Sequence, residues 1–280
     1  MFRRVNLRRR RPMKFTTRSR KLWQGGALLL AVCAAFSSTT STRAVQSGCA
    51  TPSFNSFTSV TAGAAPRASV AGDFNLDGRV DLAVSSGNRI VLLFNNGNGS
   101  FTTNTANING TAASIAAGDF NGDGRLDLLV GNDVGAPQLL LNNGAGGFPT
   151  SQFLPVPGNA PAVAVSDFNA DGKLDVVAGT STGQVVVVLG NGAGGFGEPQ
   201  SYTTGQGVLA VLSGDFNLDG KPDVAALNQN NEGLAILFNG LNGASGLVGP
   251  VLYTIGIDDA RALTSGDFNG DGALDLAVAN

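Results

Sequence analysis

Beyond residue 60 the apolar residues of this chain come in short runs rich in Val, Leu, Ile and Ala, each bounded by Gly, Asn, Asp or Ser. Such runs read as buried strands. Ala68–Ala71, Ile115–Ala117, Ala162–Val165 and Val208–Leu212 predict a first strand in successive units. Val80–Val84, Leu126–Val130, Leu174–Ala178, Pro222–Leu227 and Leu274–Val278 predict a second. A third is expected over Arg89–Phe94, Gln138–Leu141, Gln184–Leu189 and Leu234–Phe238, running into Asn96-Gly97, Asn143-Gly144, Asn191-Gly192 and Asn239-Gly240. Asn-Gly favours a tight hairpin turn, because both residues tolerate positive φ. Ser151–Val156 and Tyr202–Thr204 mark a fourth, outer strand.

The unit recurs. Nearly the same residues follow Asp73, Asp119, Asp167, Asp215 and Asp267, at steps of 46, 48, 48 and 52. Four short strands in such a period make a propeller blade; a β-helix can also carry a metal-bearing repeat, but its coil is shorter. The expected fold is all-β, a β-propeller of four-stranded blades. About five blades are expected here, and seven in a complete ring of about 340 residues. Phe54 to Val60, followed by Ala65-Pro66, resembles Phe148 to Val156 followed by Ala160-Pro161. It therefore reads as the outer strand of a blade whose other strands come from the C-terminal end, which would remove an open sheet edge. The fifth unit stops at Asn280 after its second strand. The propeller, residues 52–280, is expected to be incomplete at its C-terminus.

Charge separates the first 44 residues from the rest. They hold 11 of the 18 Lys and Arg and none of the 20 Asp and Glu. A basic stretch ending Arg18, Arg20, Lys21, the apolar run Gly26 to Phe36 and the Ser/Thr-rich approach to Ala44 have the layout of a secretory signal peptide, residues 1–44. A signal anchor is the alternative, although the run falls short of the roughly 20 residues a bilayer needs. Residues 45–51 form a short linker. The mature chain is expected to be secreted or displayed at the cell surface, without a transmembrane span. From residue 45 onward seven Lys and Arg face all 20 acids, a net charge of −13, which disfavours nucleic acid as a partner. Cys49 is then the only thiol, so no internal disulfide can form and another staple is required.

The acidic loops supply one. In the first, Asp73, Asn75 and Asp77 can turn oxygens toward a common centre, Gly78 permits the bend, the Arg79 carbonyl can point inward and Asp81 can close the site. Positions 1, 3, 5 and 7, with glycine at 6, match the hard-oxygen set of an EF-hand, closed here by Asp at position 9. The same roles fall to Asp119, Asn121, Asp123, Arg125 and Asp127; to Asp167, Asn169, Asp171, Lys173 and Asp175; to Asp215, Asn217, Asp219, Lys221 and Asp223; and to Asp267, Asn269, Asp271, Ala273 and Asp275. Fifteen of the 20 acids lie in these loops, so the clusters would repel themselves without a counter-ion. Calcium suits this set better than magnesium, which demands strict octahedral geometry, or zinc, since the chain has no His. Phe74, Phe120, Phe168, Phe216 and Phe268, at position 2, are expected to anchor the core between blades.

With its five Asp-Phe-Asn-x-Asp-Gly-x-x-Asp loops, the sequence resembles the FG-GAP/VCBS repeat family over roughly residues 52 to 280. The resemblance implies a β-propeller, often seven-bladed, with Ca2+ in the loop between the first two strands of a blade. It also implies a role in adhesion, in ligand binding or as a module attached to an enzyme. The expected partner is an extracellular protein or glycan. The alternative is the non-catalytic propeller portion of a larger extracellular polysaccharide-degrading enzyme.

Catalytic readings of the residues are weak. Gly179-Thr180-Ser181-Thr182-Gly183 spells a nucleophile elbow, but it joins two strands, and the chain has no His to act as base. Asp258 and Asp259 read as a solvated connection rather than a carboxylate pair for glycoside cleavage. The chain is expected not to be an enzyme.

Overall fold

The structure is a computed structural model and describes residues 2–5, 59–229, 233–240, 246–254 and 260–279. The predicted leader (apart from 2–5), Cys49, Phe54 to Phe57 and Asp258-Asp259 lie outside these residues.

Among the described residues the regular elements are all strands. β1 is Phe2–Val5. The first sheet is β2 (Pro66–Gly72), β3 (Asp81–Ser86), β4 (Arg89–Asn95) and β5 (Phe101–Asn107). The second is β6 (Ala112–Gly118), β7 (Asp127–Asn132), β8 (Gln138–Leu141) and β9 (Thr150–Phe153). The third is β10 (Ala162–Ser166), β11 (Asp175–Gly179), β12 (Gln184–Val188) and β13 (Gln200–Thr203). The fourth is β14 (Val208–Gly214), β15 (Asp223–Asn228), β16 (Leu234–Leu237) and β17 (Val251–Tyr253). Each is an antiparallel meander with its strands in chain order. The last sheet pairs β18 (Ala262–Gly266) with β19 (Asp275–Ala279), and β1 lies on the far side of β19, with Phe2 opposite Ala279. These are propeller blades as predicted, in a row that is not closed into a ring.

Successive sheets pack face to face, which explains the unbroken apolar runs. Leu128, Val130 and Leu140 of the second sheet pack against Phe74, Ile90 and Leu92 of the first. The intervening Leu129 and Leu139 face the third sheet, at Val163, Val176 and Val186. With side chains alternating between faces and both faces buried, no polar side is left. Each fully buried leucine here is worth about 1.5–3 kcal/mol of transfer free energy.

Two strand expectations are corrected. The outer strand β9 ends at Phe153, three residues early, because Leu154 and Val156 leave its exposed surface and become buried with Val163 and Val176 of the next sheet. Ile108, just past the end of β5, is likewise buried with Leu128 and Val130 of the second sheet, and Val60 and Ala62 pack on the first sheet beside Val84 and Val91. Tyr202–Thr204 is likewise shifted, to Gln200–Thr203. The second strands start one residue late, because the position-8 residues belong to the loop. Leu126, Leu174 and Leu274 each fill a gap over a glycine of the preceding sheet: a Cβ on Gly72, Gly118 or Gly214 would lie within 2.7 Å of the leucine. Val80, which has no described sheet before it, is 61% exposed.

Candidate metal centre

Each acidic loop joins the first and second strands of its sheet, and each Asn-Gly loop joins the third and fourth. In an antiparallel meander these lie at the same end, so loop and hairpin are neighbours within a sheet.

The acidic loop is shaped by its own side chains. Asp73 Oδ1 accepts the Asp77 amide at 3.1 Å and Oδ2 the Gly78 amide at 2.8 Å. Asn75 Oδ1 also accepts the Asp77 amide, at 3.0 Å, and Asp77 Oδ1 accepts that of Arg79, at 2.9 Å. The same pattern recurs at Asp119, Asn121 and Asp123, at Asp167, Asn169 and Asp171, at Asp215, Asn217 and Asp219, and at Asp267, Asn269 and Asp271. Turning so many amides inward requires left-handed backbone twice per loop. Glycine supplies it at position 6, but position 4 is Leu76 (φ 61°), Ala170 (φ 59°) and Leu218 (φ 64°) as well as Gly122 and Gly270. A side chain in that conformation costs about 1–2 kcal/mol. Sequence reasoning missed position 4, although its glycine in two loops was a signal.

The structure places position 9 differently from positions 1, 3 and 5. Asp81, Asp127, Asp175, Asp223 and Asp275 are the first residues of their strands, each opposite the residue before its own loop, and all are buried. Asp81 Oδ2 accepts the Phe74 amide at 3.1 Å, and Oδ1 accepts the Asn95 amide at the end of the third strand at 2.8 Å. Asp127, Asp175 and Asp223 bridge the same two points, to Asn142, Gly190 and Asn239. Asp275 accepts the Phe268 amide. This carboxylate ties loop to hairpin, a role the sequence reading had not given it. Among the described residues, no group of three or more His, Cys, Asp or Glu side chains is gathered so as to hold a metal ion.

Charge in the loop is unevenly distributed. The Arg79 amide, outweighing some desolvation, and then Asn75 and the Arg79 side chain hold the Asp77 carboxyl below the usual range. For Asp171 desolvation is the largest single effect, but the Lys173 amide, Asn169 and the Lys173 side chain together outweigh it and leave the carboxyl low. The Asp267 carboxyl is lowered chiefly by the Gly272 amide. At position 9 burial wins in three of the loops. It raises Asp127 and Asp175, and it pushes Asp223 up to about 6 against two amide bonds, with Asp219 and Asp215 adding repulsion.

Neighbouring blades grip the loop at position 2. The Phe74 carbonyl accepts Asn142 Nδ2 of the next sheet at 2.9 Å, that of Phe120 the Gly194 amide at 2.9 Å and that of Phe168 Asn239 Nδ2 at 2.7 Å. Phe74 meets Phe148 edge-on at 6.4 Å, and Phe120 meets Phe196 at 6.2 Å. Four of the five expected phenylalanine anchors are buried. Phe268 is the correction: it is 37% exposed, with no described sheet beyond it.

A family model described as the FG-GAP-like repeat matches four overlapping stretches, residues 73–130, 119–178, 167–226 and 215–278. Each runs from one acidic loop to the second strand of the following sheet. The chain belongs to the FG-GAP-like repeat family. No curated protein matches this FG-GAP-like chain. Among solved structures it is similar to an Agrocybe aegerita lectin that recognises non-reducing terminal N-acetylglucosamine, at 19% identity and TM-score 0.47, covering 75% of this chain and 56% of that one. It is also similar to the V. cholerae biofilm matrix protein Bap1, at 18% identity and TM-score 0.47, covering 74% of this chain and 31% of that one. The FG-GAP-like chain thus spans less than two thirds of either.

The hairpins of the FG-GAP-like repeats are wider than the expected tight turn. Of each Asn-Gly pair only the glycine takes positive φ, a second glycine two residues on does so in the first three hairpins (Gly99, Gly146 and Gly194), and the Asn143 amide bonds the Gly147 carbonyl at 2.9 Å, while Asn143 Oδ1 accepts the Ala145 and Gly147 amides. The stretch Gly179 to Gly183 is a hairpin turn between β11 and β12, in which Thr180 Oγ1 accepts the Gln184 amide, so the elbow pattern is structural.

Proposed function

We propose that this chain is a calcium-stapled propeller module that works by binding at an extracellular or cell-surface location. One observation carries the reading. Five loops repeat one amide-shaped frame that sets two carboxylates and an asparagine oxygen in register, above a buried third carboxylate that burial raises in three of the five.

The donor chemistry fits a hard divalent cation: carboxylate, amide and carbonyl oxygens, with neither His nor thiol in the loops. The position-9 carboxylate would join through lone pairs its two amide bonds leave open. Asp73, Asn75, Asp77, the Arg79 carbonyl and Asp81, with their counterparts in the other loops, would hold the ion. The ion would supply charge neutralisation, and the loop would supply a fixed frame of oxygens.

Binding rather than catalysis is supported by the absence of His from the chain and by the structural role of the Gly179–Gly183 turn. An extracellular protein or glycan is the proposed partner, and the family's use as a binding module supports it. Among the described residues no helix is long and apolar enough to cross a membrane. Secretion rests on the layout of the first 44 residues.

Calorimetry with and without chelator tests the staple. Calcium at about a hundredfold over its dissociation constant stabilises by about 2.7 kcal/mol per site. EGTA should therefore lower the melting temperature by at least several degrees, and excess calcium should restore it. An unchanged transition would overturn the reading.

A further inference from the structure

The seventh loop residue offers more than its carbonyl. It is basic in the first four units, at Arg79, Arg125, Lys173 and Lys221, and it is Ala273 in the fifth. In each of the four, the side chain lies over the hairpin glycine of its own sheet. A Cβ placed on Gly97 would sit 2.8 Å from Arg79 Nε, on Gly144 2.9 Å from Arg125 Nε and on Gly192 2.9 Å from Lys173 Cδ; Lys221 Nζ lies closer still over Gly240. These glycines take positive φ, and a Cβ on any of them would push the flexible end of the cation's side chain away from the hairpin.

The other end of the same side chain reaches the position-5 carboxylate. Arg79 Nη1 is 2.9 Å from Asp77 Oδ2, Arg125 Nη1 3.3 Å from Asp123 Oδ2 and Lys173 Nζ 3.3 Å from Asp171 Oδ2. Lys221 makes no such pair among the described residues; its ammonium rests on the hairpin instead. One cation thus touches both a carboxylate that an incoming metal would claim and a turn 18 or 19 residues further along the chain.

We propose that the position-7 cation is a positioning residue: it couples the acidic loop to the Asn-Gly hairpin of its own blade and serves as the loop's resident counter-ion, competing with a divalent cation for the position-5 carboxylate. The second half rests on the calcium reading above; the first does not. Its stem holds the hairpin whether or not an ion is present. Its charge makes the first three sites weaker than an otherwise equal site without it, and the Lys221 and Ala273 loops are the uncompeted ones. The pairs are solvent-exposed, which limits each to at most about a fivefold change in affinity.

Hydrogen exchange on the chelated protein tests the coupling. Arg79→Ala should speed exchange severalfold at Asn96, Gly97 and Ser100, whose amides close the hairpin through Ser100 O, Asn95 Oδ1 and Asn98 Oδ1. The hairpins at 143–147 and 191–195 should be unchanged, and Arg79→Lys should restore protection. Unchanged exchange at 96–100 would overturn the coupling. Calcium titration of the triple variant Arg79→Ala, Arg125→Ala, Lys173→Ala tests the competition. Three sites should tighten by about two- to fivefold. Equal or weaker binding would overturn the counter-ion role while leaving calcium binding in place. No binding by parent or variant would overturn both the calcium reading and the competition, and the exchange result would still decide the coupling.

Discussion

Asp223 is the residue where burial and repulsion are least compensated. In the folded chain its carboxyl titrates near 6, against 3.8 for an ordinary aspartate, so the native state holds the proton more tightly than the unfolded state does. Stability from this group is full below the unfolded value and is lost as pH rises through the folded one. Asp127 and Asp175 are shifted the same way. The metal-free protein should therefore lose stability between about pH 4 and pH 6, by at most about 1.4 kcal/mol per pH unit for each such group, and level off above. Urea denaturation in EGTA across that range measures it, and Asp223→Asn should flatten the slope; stability rising with pH there would contradict the assignment. The sharp bend of the loop was legible in the sequence, because the bonds that positions 1, 3 and 5 make to it span only a few residues. Position 9 was only half legible, because its partner amides at Asn95, Asn142, Gly190 and Asn239 are brought to it by strand pairing.

At the scale of the element, each sheet is finished by its neighbour. Phe120 lies with Leu139 of its own sheet and Val163, Val176 and Val186 of the next, whereas Phe268 keeps 37% of its surface exposed. Phe120→Ala should cost about 3–5 kcal/mol and Phe268→Ala clearly less, as read from urea midpoints at fixed calcium. Equal losses would mean that the phenylalanines act within the loop and not between blades. Strand positions were largely readable, since buried β-runs bounded by turn residues are a local signal. Strand ends were not: Leu154 and Val156 look like a continuation of β9, and only the next sheet shows why they leave it. The pairing of Leu126 with Gly72, and of Leu274 with Gly214, is equally invisible along the chain.

For the whole molecule, charge gives a direct readout of the proposed staples. From residue 45 onward the net charge is −13, and five divalent ions would reduce it to −3. Native electrophoresis of the chain from residue 45 onward should show clearly slower migration toward the anode in calcium than in EGTA; equal mobility would rule out occupancy of all five loops. The sequence by itself determined the repeat, its period, the all-β class and the oxygen chemistry of the loops, because each is written in residues close together in the chain. Tertiary structure alone decided which face each strand buries, which glycines must stay small and which blade grips which loop. It also decided that the ninth carboxylate points inward and that the seventh cation lies over a hairpin. Those depend on residues 14 to 71 positions apart being brought within bonding distance, which only the packed sheets accomplish.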